Sequence, residues 1–311
     1  MKRDNSQNKP VVGIALGSGS ARGWSHIGVI NALAAHGIDP DVVCGTSMGA
    51  LAGAFYASGN LEKMEEWALN MTRKDILRFL DIKLLAGGGF IEGKRLMDNF
   101  REPLGNLEIE SLPKRFAAVA TELDTGHELW LRKGSLVDAV RASIALPGIF
   151  TPVRLDDKWL VDGGLVNPVP VSLCRAMGAD IVIAVNLNGN IAGRHFRSIS
   201  GPEKKKNGEP GAEATLMGRV SSDLRQRADS LIGRLFEGQT DTPGLFDVMA
   251  GSINIMQDRV TRSRMAGDPP DIILAPRLSH IGLLEFDRAK EAIEEGMKCV
   301  ERSMPALQEL L

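Results

Sequence analysis

Cysteine is scarce in this sequence. The chain of 311 residues has three, Cys44, Cys174 and Cys299, and their wide spacing gives neither a disulfide framework nor a metal-ligand cluster. Cys44 and Cys174 stand in apolar runs, as small core residues do. This usage is consistent with a reducing compartment, and we expect a cytoplasmic protein.

Long apolar runs and a strong net charge are also lacking. No stretch of about 18 apolar residues is present, which excludes a membrane-spanning helix. Residues 1–9 are polar, so we expect a flexible N-terminus without a signal peptide. The formal net charge of −2 gives nothing that would attract nucleic acid. We therefore expect no nucleic-acid partner.

Strand and helix signals alternate along the chain. Short apolar runs predict strands at residues 11–16, 40–44, 116–121, 128–131, 159–161, 181–185 and 272–275. Helical spacing predicts helices near residues 24–36, 48–58, 135–143, 171–177 and 286–308. This order predicts an α/β fold with a largely parallel sheet between helices, whose site lies at the carboxyl ends of the strands.

A serine stands between two glycines at one of these strand ends. Residues 45–49 read G-T-S-M-G, between an apolar run and a helical stretch. Gly45 and Gly49 permit a sharp turn that would push the Ser47 Oγ clear of the backbone, and the following helix would aim its N-terminus at the site. The motif predicts a nucleophile elbow. An ordinary glycine-rich turn is the alternative, since such strings also occur by chance.

Two further elements fit the catalytic interpretation. Residues 17–23 read G-S-G-S-A-R-G between a strand and a helix, where free backbone N–H groups suit an oxyanion or a phosphate. Asp162 ends another apolar run beside Gly163 and Gly164. Together, an anion-binding loop, a serine and an isolated carboxylate favour a catalytic site over an ordinary turn.

These motifs resemble the patatin-like phospholipase family, and more closely its small bacterial branch. The family pattern is G-G-G-x-R-G, G-x-S-x-G and D-G-A or D-G-G in that order, and here it falls on residues 18–23, 45–49 and 162–164. Residues 142–150, A-S-I-A-L-P-G-I-F, resemble the family's A-S-x-x-x-P-x-x-F stretch. The resemblance covers residues 10–190 well and the rest loosely, and four ordered motifs are far more specific than one.

The resemblance implies a fold and a mechanism. The fold is a patatin-like three-layer arrangement related to the α/β-hydrolases, in a single catalytic domain over residues 10–311. The family uses a Ser-Asp dyad without histidine, so Ser47 would be the nucleophile and Asp162 the general base of a lipid acyl hydrolase. The reaction would pass through an acyl-enzyme and would need no metal and no cofactor.

The glycine-rich loop would supply the oxyanion hole. Alignment on Arg22 and Gly23 makes the amides of Gly19 and Ser20 the expected donors, with Gly17 and Ser18 in the same loop. The chain departs from the family pattern by having serine at positions 18 and 20, although the backbone N–H groups remain. For Arg22 three roles stay open, namely locking the loop, binding an anionic head group, or forming a surface salt bridge.

The histidines offer no obvious triad partner. Five are present: His26, His36, His127, His195 and His280. His26 follows the glycine loop and is expected to pack or hydrogen-bond locally. His195 and His280 remain open as alternatives, and a dyad fits the scarcity of histidine.

Residues 193–260 differ in character from the rest. Residues 193–218 are polar, with three lysines at 204–206, and predict a mobile excursion. Helical elements are expected at about 219–260. Apolar residues at helical spacing over residues 219–236 alternate with arginines, so this stretch either touches a membrane surface or covers the core.

The substrate stays open among phospholipid, lysophospholipid, monoacylglycerol and acyl-thioester. The candidate pocket walls are apolar residues within 79–96, and glycines at 87–89 predict a flap.

Two other functions compete with hydrolysis. The first is nucleotide binding, although the loop lacks the third glycine of G-x-G-x-x-G and has no Walker lysine. The second is a non-catalytic lipid-binding or regulatory protein on the same fold.

Overall fold

The computed structural model describes residues 9–79, 101, 103–189 and 245–311. The strands are β1 Val12–Leu16, β2 Val42–Thr46, β3 Arg115–Glu122, β4 Glu128–Leu131, β5 Val153–Leu155, β6 Lys158–Asp162, β7 Ile181–Val185 and β8 Ile272–Leu274. The α-helices are α1 Ser25–Ala35, α2 Met48–Ala57, α3 Leu61–Asn70, α4 Arg73–Phe79, α5 Leu136–Ser143, α6 Val171–Ala176, α7 Leu245–Gly267 and α8 Ala289–Leu310. Short 3-10 helices cover Ser20–Trp24, Ile109–Ser111, Gly163–Leu165 and Phe286–Arg288.

The strands form one mixed sheet. Their order is β5-β6-β3-β2-β1-β7-β8, and β4 also pairs with β3. Five strands, β3, β2, β1, β7 and β8, lie next to one another and pair in parallel. At the β3 end of the sheet, β4 and β6 pair antiparallel with β3, and β5 pairs antiparallel with β6. The predicted α/β fold with a largely parallel central sheet is confirmed.

Both faces of the sheet are covered by helices. Ile14 and Leu16 of β1 belong to a buried cluster that contains residues of α1, α2 and α8. Ala15, which points to the other face, packs in a second cluster with Cys44 of β2 and with Leu173 of α6. This alternation along parallel strands buried on both faces gives three layers, as expected.

The predicted elements match the observed ones closely. Each strand and helix predicted outside residues 193–260 begins and ends within two residues of its counterpart, except that the last helix begins at Ala289 after a 3-10 turn over Phe286–Arg288. Of the helical elements expected at about 219–260, the described residues show α7, which begins at Leu245 and continues past residue 260 to Gly267. Among the described strands and α-helices, β5, α3 and α4 are not predicted from the sequence.

The chain divides into two compact units. One comprises residues 1–192 and 254–311, and the other comprises residues 193–253. Of the second unit the structure describes only residues 245–253, the beginning of α7. The excursion expected at 193–218 and the N-terminal residues 1–8 lie outside the described residues. The single domain over 10–311 therefore stays a prediction.

Candidate active site

Ser47 lies at the turn between β2 and α2. Its φ of 56° and ψ of −124° are costly for a residue with a Cβ. The turn is tight on both sides, because a Cβ on Gly45 would overlap the Gly49 carbonyl oxygen and a Cβ on Gly49 would overlap the Leu16 carbonyl oxygen. The structure thus places Ser47 at a strained strand-to-helix turn, with the positive end of α2 beside it.

Ser47 contacts Asp162 directly. The Ser47 Oγ donates a hydrogen bond of 2.6 Å to Asp162 Oδ2, and Oδ1 of the same carboxylate accepts the Gly164 N–H at 2.7 Å. Asp162 has no exposed surface and Ser47 is 8% exposed. Burial of the carboxylate raises the pKa of Asp162 to about 6, although its hydrogen bonds with Ser47 and Gly164 lower it. The site therefore pairs a serine hydroxyl with a buried carboxylate whose pKa is raised to about 6.

The pairing of β3 explains how Asp162 reaches Ser47. β4 pairs with residues 118–121 of β3, β2 with residues 115–119 and β6 with residues 120–122. β4 pairs with residues of β3 that also pair with β2 and with β6, so β4 occupies one edge of β3 while β2 and β6 follow each other along the other edge. On that shared edge Thr46 pairs with Val119 and Asp162 pairs with the next residue, Ala120. The ends of β2 and β6 meet there, and with them the two side chains.

Two backbone N–H groups of the glycine-rich loop, those of Gly19 and Ser20, have no acceptor among the described residues and could bind a ligand. The Gly17 N–H donates to the Val185 carbonyl at 3.0 Å and the Ser18 N–H to the Pro168 carbonyl at 2.8 Å. The amides of Ala21 and Arg22 donate to the carbonyls of Leu283 and Gly19, both at 3.1 Å. Within the described part of the chain, no acceptor is found for the amides of Gly19 and Ser20.

Ser20 lies beside Ser47. It lines the same pocket as Ser47, and its φ of 48° lies in the left-handed region. Gly23, at the end of the loop, has room for no side chain, because a Cβ there would overlap the Met48 Cβ. The loop therefore packs closely against the start of α2.

Arg22 is buried and holds the loop from within. Its Nε donates to the Ile281 carbonyl at 3.0 Å and its Nη1 to Asn188 Oδ1 at 3.4 Å. Burial lowers the pKa of this guanidinium to about 10. The surface salt bridge is therefore wrong for Arg22, because the side chain has no exposed surface. The contacts favour the loop-locking role.

His26, His36 and His280 each contact a group other than Ser47 and Asp162. His26 Nε2 is 2.8 Å from the Gly17 carbonyl oxygen, and burial lowers the pKa of this imidazole to about 4, although that hydrogen bond raises it. His36 pairs with Glu301 and His280 with Glu291. The local role expected for His26 is confirmed. His195 lies outside the described residues.

An apolar pocket opens beside Ser47. It encloses about 730 Å³, counting the part at its mouth that is open to solvent. Two of its lining residues are the serines Ser20 and Ser47. The other twelve are apolar: Trp24, Met48, Leu51, Trp67, Met71, Ile76, Ile144, Leu146, Ile149, Phe150, Leu284 and Phe286. No charged side chain belongs to this described lining.

Several residues near the site are not predicted from the sequence. Ser143 Oγ accepts the Ser47 N–H at 2.9 Å. Gln257 Oε1, on α7, accepts from Ser18 Oγ at 3.0 Å and from Asn188 Nδ2 at 3.1 Å. Ser143 falls within the A-S-x-x-x-P stretch, which gives a signal without a role. Gln257 has no motif that could identify it.

The remaining expectations concern metal binding, membrane-spanning helices and segments that the structure does not describe. In the described ranges, no group of three His, Cys, Asp or Glu side chains could hold a metal ion, and no helix is both long and apolar enough to cross a membrane. The candidate pocket walls at 80–96, the side chain of Phe79, the flap at 87–89 and the amphipathic stretch at 219–236 lie outside the described residues.

Known proteins resemble this chain over different lengths. An uncharacterized NTE family protein of Mycobacterium tuberculosis is 35% identical over 346 aligned positions, covering 98% of this chain and 94% of that protein. A second uncharacterized NTE family protein of the same species is 29% identical and covers 96% of this chain but 47% of its own length. The mouse patatin-like phospholipase domain-containing protein 6 is 35% identical over 184 positions, which are 57% of this chain and 13% of the mouse protein.

The family follows from these matches. A family profile described as patatin-like phospholipase matches residues 14–175. That span is more than half of the 311 residues and contains the loop, the elbow and the Asp162 turn. The chain belongs to the patatin-like phospholipase family.

Proposed function

We propose that this chain is a serine acyl hydrolase that cleaves lipid-like carboxylic esters, as a phospholipase of the A type, a lysophospholipase or a related esterase. One observation carries the proposal. The Ser47 Oγ, on a strained turn, donates a 2.6 Å hydrogen bond to the buried Asp162 carboxylate, beside an apolar pocket. Membership of the patatin-like phospholipase family supports the same activity.

Acylation would begin at this hydrogen bond. As the Ser47 Oγ attacks the ester carbonyl carbon, its proton passes to Asp162 Oδ2, and the carbonyl oxygen becomes an oxyanion. The amides of Gly19 and Ser20, which have no acceptor among the described residues, are the donors we assign to that oxyanion. Asp162 then returns the proton to the leaving alcohol as the tetrahedral intermediate collapses to the acyl-enzyme.

Deacylation would use the same groups in a second cycle. A water molecule takes the place of the alcohol, gives its proton to Asp162 and attacks the acyl carbonyl of Ser47. The intermediate collapses with return of the proton to the Ser47 Oγ, and the carboxylic acid leaves. A pKa of about 6 suits this exchange, because Asp162 is ionised at neutral pH yet basic enough to accept a proton.

The pocket indicates which part of the substrate it receives. Its lining is apolar apart from Ser20 and Ser47, so it would accommodate an acyl chain, with the ester carbonyl near Ser47. A phospholipid, a lysophospholipid, a monoacylglycerol and an acyl-thioester would each present such a carbonyl, with a lysophospholipid, a glycerophosphodiester, glycerol or a thiol as the respective leaving group. The water-facing part of the substrate would lie outside this lining.

Peripheral contact with a membrane belongs to the same proposal. Its motivation is the arginine-flanked amphipathic stretch at 219–236. A cytoplasmic location is likewise proposed, from three cysteines that are all free and buried.

Hydrolysis of p-nitrophenyl esters, from acetate to palmitate, tests the function. We expect activity that depends on acyl length, and a fall in kcat of at least about a thousandfold in Ser47→Ala. Ser58→Ala is the control, because it removes a hydroxyl that bonds the Phe55 carbonyl at the other end of α2. Near-normal turnover by a folded Ser47→Ala protein would refute the proposal. Tight nucleotide binding, or lipid binding without turnover, would favour one of the two competing functions.

A further inference from the structure

The backbone N–H of Ser47 needs an acceptor that the sheet does not supply. The pairing of β2 with β3 ends at Thr46 opposite Val119, and β6 takes up the next positions of β3. Ser47 is the residue before α2, so its N–H faces no helical carbonyl either. A buried N–H without a partner is strongly disfavoured.

Ser143 supplies that acceptor. It is the last residue of α5, has no exposed surface, and places its Oγ 2.9 Å from the Ser47 nitrogen. The two residues are 96 positions apart in the chain. A hydroxyl at this point can accept the N–H, whereas a hydrocarbon side chain cannot.

The turn after Ser143 also holds the base. The Ala145 carbonyl oxygen accepts the Asp162 N–H at 2.9 Å. Two groups only two residues apart therefore bind the backbones of Ser47 and Asp162. The segment 143–145 therefore connects the Ser47 and Asp162 backbones to each other, in addition to the pairing of β2 and β6 with β3.

We propose that Ser143 is a positioning residue, whose Oγ keeps the Ser47 backbone in the conformation that directs its Oγ at Asp162. The inference rests on the proposed function. Ser47 holds a positive φ of 56°, and such a conformation persists only where its surroundings fix it. Without the Ser143 acceptor the turn would relax towards another partner for its N–H. A displacement of the nucleophile by about 1 Å lowers the rate on the order of a hundredfold.

Three substitutions test this role. Ser143→Ala removes the acceptor, Ser143→Cys keeps nearly the same volume with a weak acceptor, and Ser143→Thr keeps the hydroxyl. We expect kcat for a soluble ester to fall by about tenfold to a hundredfold in the Ala and Cys variants, with KM within about threefold of the wild type. The Thr variant should retain most of the activity.

The rate of labelling by a fluorophosphonate and the melting temperature complete the test. The labelling rate should fall with kcat, because both report the position of the Ser47 Oγ, while the fraction of folded protein stays unchanged. Ser58→Ala again serves as the control. If Ser143→Ala does not fold, the Cys variant decides by the same criteria.

Two results would overturn the inference, and they differ from each other. A folded Ser143→Ala or Ser143→Cys protein with wild-type kcat and labelling rate, beside an inactive Ser47→Ala protein, would show that Ser143 only fills space. An active Ser47→Ala protein would instead refute the proposed function, and this inference with it.

Discussion

Replacement of Asp162 by asparagine should abolish activity and make the protein more stable at neutral pH. The carboxylate is fully buried, and the desolvation raises its pKa from the usual 3.8 to about 6. Asparagine keeps the shape, can accept the Gly164 N–H with its oxygen and can donate to the Ser47 Oγ with its nitrogen. It cannot accept the proton of Ser47.

The sign and size of the stability change follow from the pKa. A carboxyl group whose pKa is higher in the folded state binds its proton more tightly when the protein is folded. The contribution of Asp162 to the free energy of unfolding is therefore greatest below about pH 4 and is lost as pH rises to about 6. At 1.36 kcal/mol per pH unit, the difference between 3.8 and about 6 corresponds to about 3 kcal/mol. Asparagine does not ionise, so the Asp162→Asn protein does not lose this free energy above pH 6. At about 2 °C per kcal/mol, the melting temperature at pH 8 should rise by roughly 6 °C.

Thermal unfolding of wild type and Asp162→Asn between about pH 4 and pH 8 measures the effect. The two melting curves should approach each other at the acid end and separate as pH rises. Asp157→Asn is the control, because Asp157 lies at an exposed turn, where its side chain pairs with Arg154. Equal melting temperatures of wild type and Asp162→Asn at pH 8, with parallel pH profiles, would show that burial of the Asp162 carboxylate costs no stability.

Two further predictions concern the base and the oxyanion loop. The kcat/KM for a soluble ester should fall about tenfold per pH unit below about pH 6, because Asp162 must be ionised to accept the proton; a profile that is flat down to about pH 4.5 would contradict this role. Ser20→Gly should keep kcat within a few-fold of the wild type, because the proposed donor is the backbone N–H and glycine adopts a φ of 48° without strain. A hundredfold loss in that variant would instead mean that the Ser20 hydroxyl takes part in the reaction.

Much of the site could be predicted from the sequence, because its main parts are local motifs. The elbow needs glycine on both sides of Ser47, and the loop needs a glycine-rich run before a helix, so both leave a mark in a few consecutive residues. Asp162 is marked by the two glycines that follow it. The position of each is confirmed by the structure, whereas their roles stay proposals.

The parts that could not be predicted depend on contacts between distant residues. Arg22 and Ile281 are 259 positions apart, and Ser18 and Gln257 are 239 apart. Nothing in the local pattern around Gln257 indicates that α7 reaches the glycine loop. The shared edge of β3, which brings β6 to the end of β2, is likewise a property of strand pairing and not of any single stretch.

Some elements of the fold are not predicted from the sequence for a different physical reason. β5 has three residues, and its side chains are half-buried or exposed, so it gives almost no periodic signal. In α3 the residues Met64 and Ala68 are buried, while most of the others face solvent. Two buried positions in a largely polar stretch are a weak sign of a helix on the core.

Covalent labelling by a fluorophosphonate, located by mass spectrometry of the peptides, tests most directly whether Ser47 is the nucleophile. We expect one adduct, on the Ser47 Oγ of the wild-type protein, and no adduct in Ser47→Ala. Labelling of wild type at a different residue, or none under conditions where the protein hydrolyses esters, would contradict the assignment of Ser47 as the nucleophile.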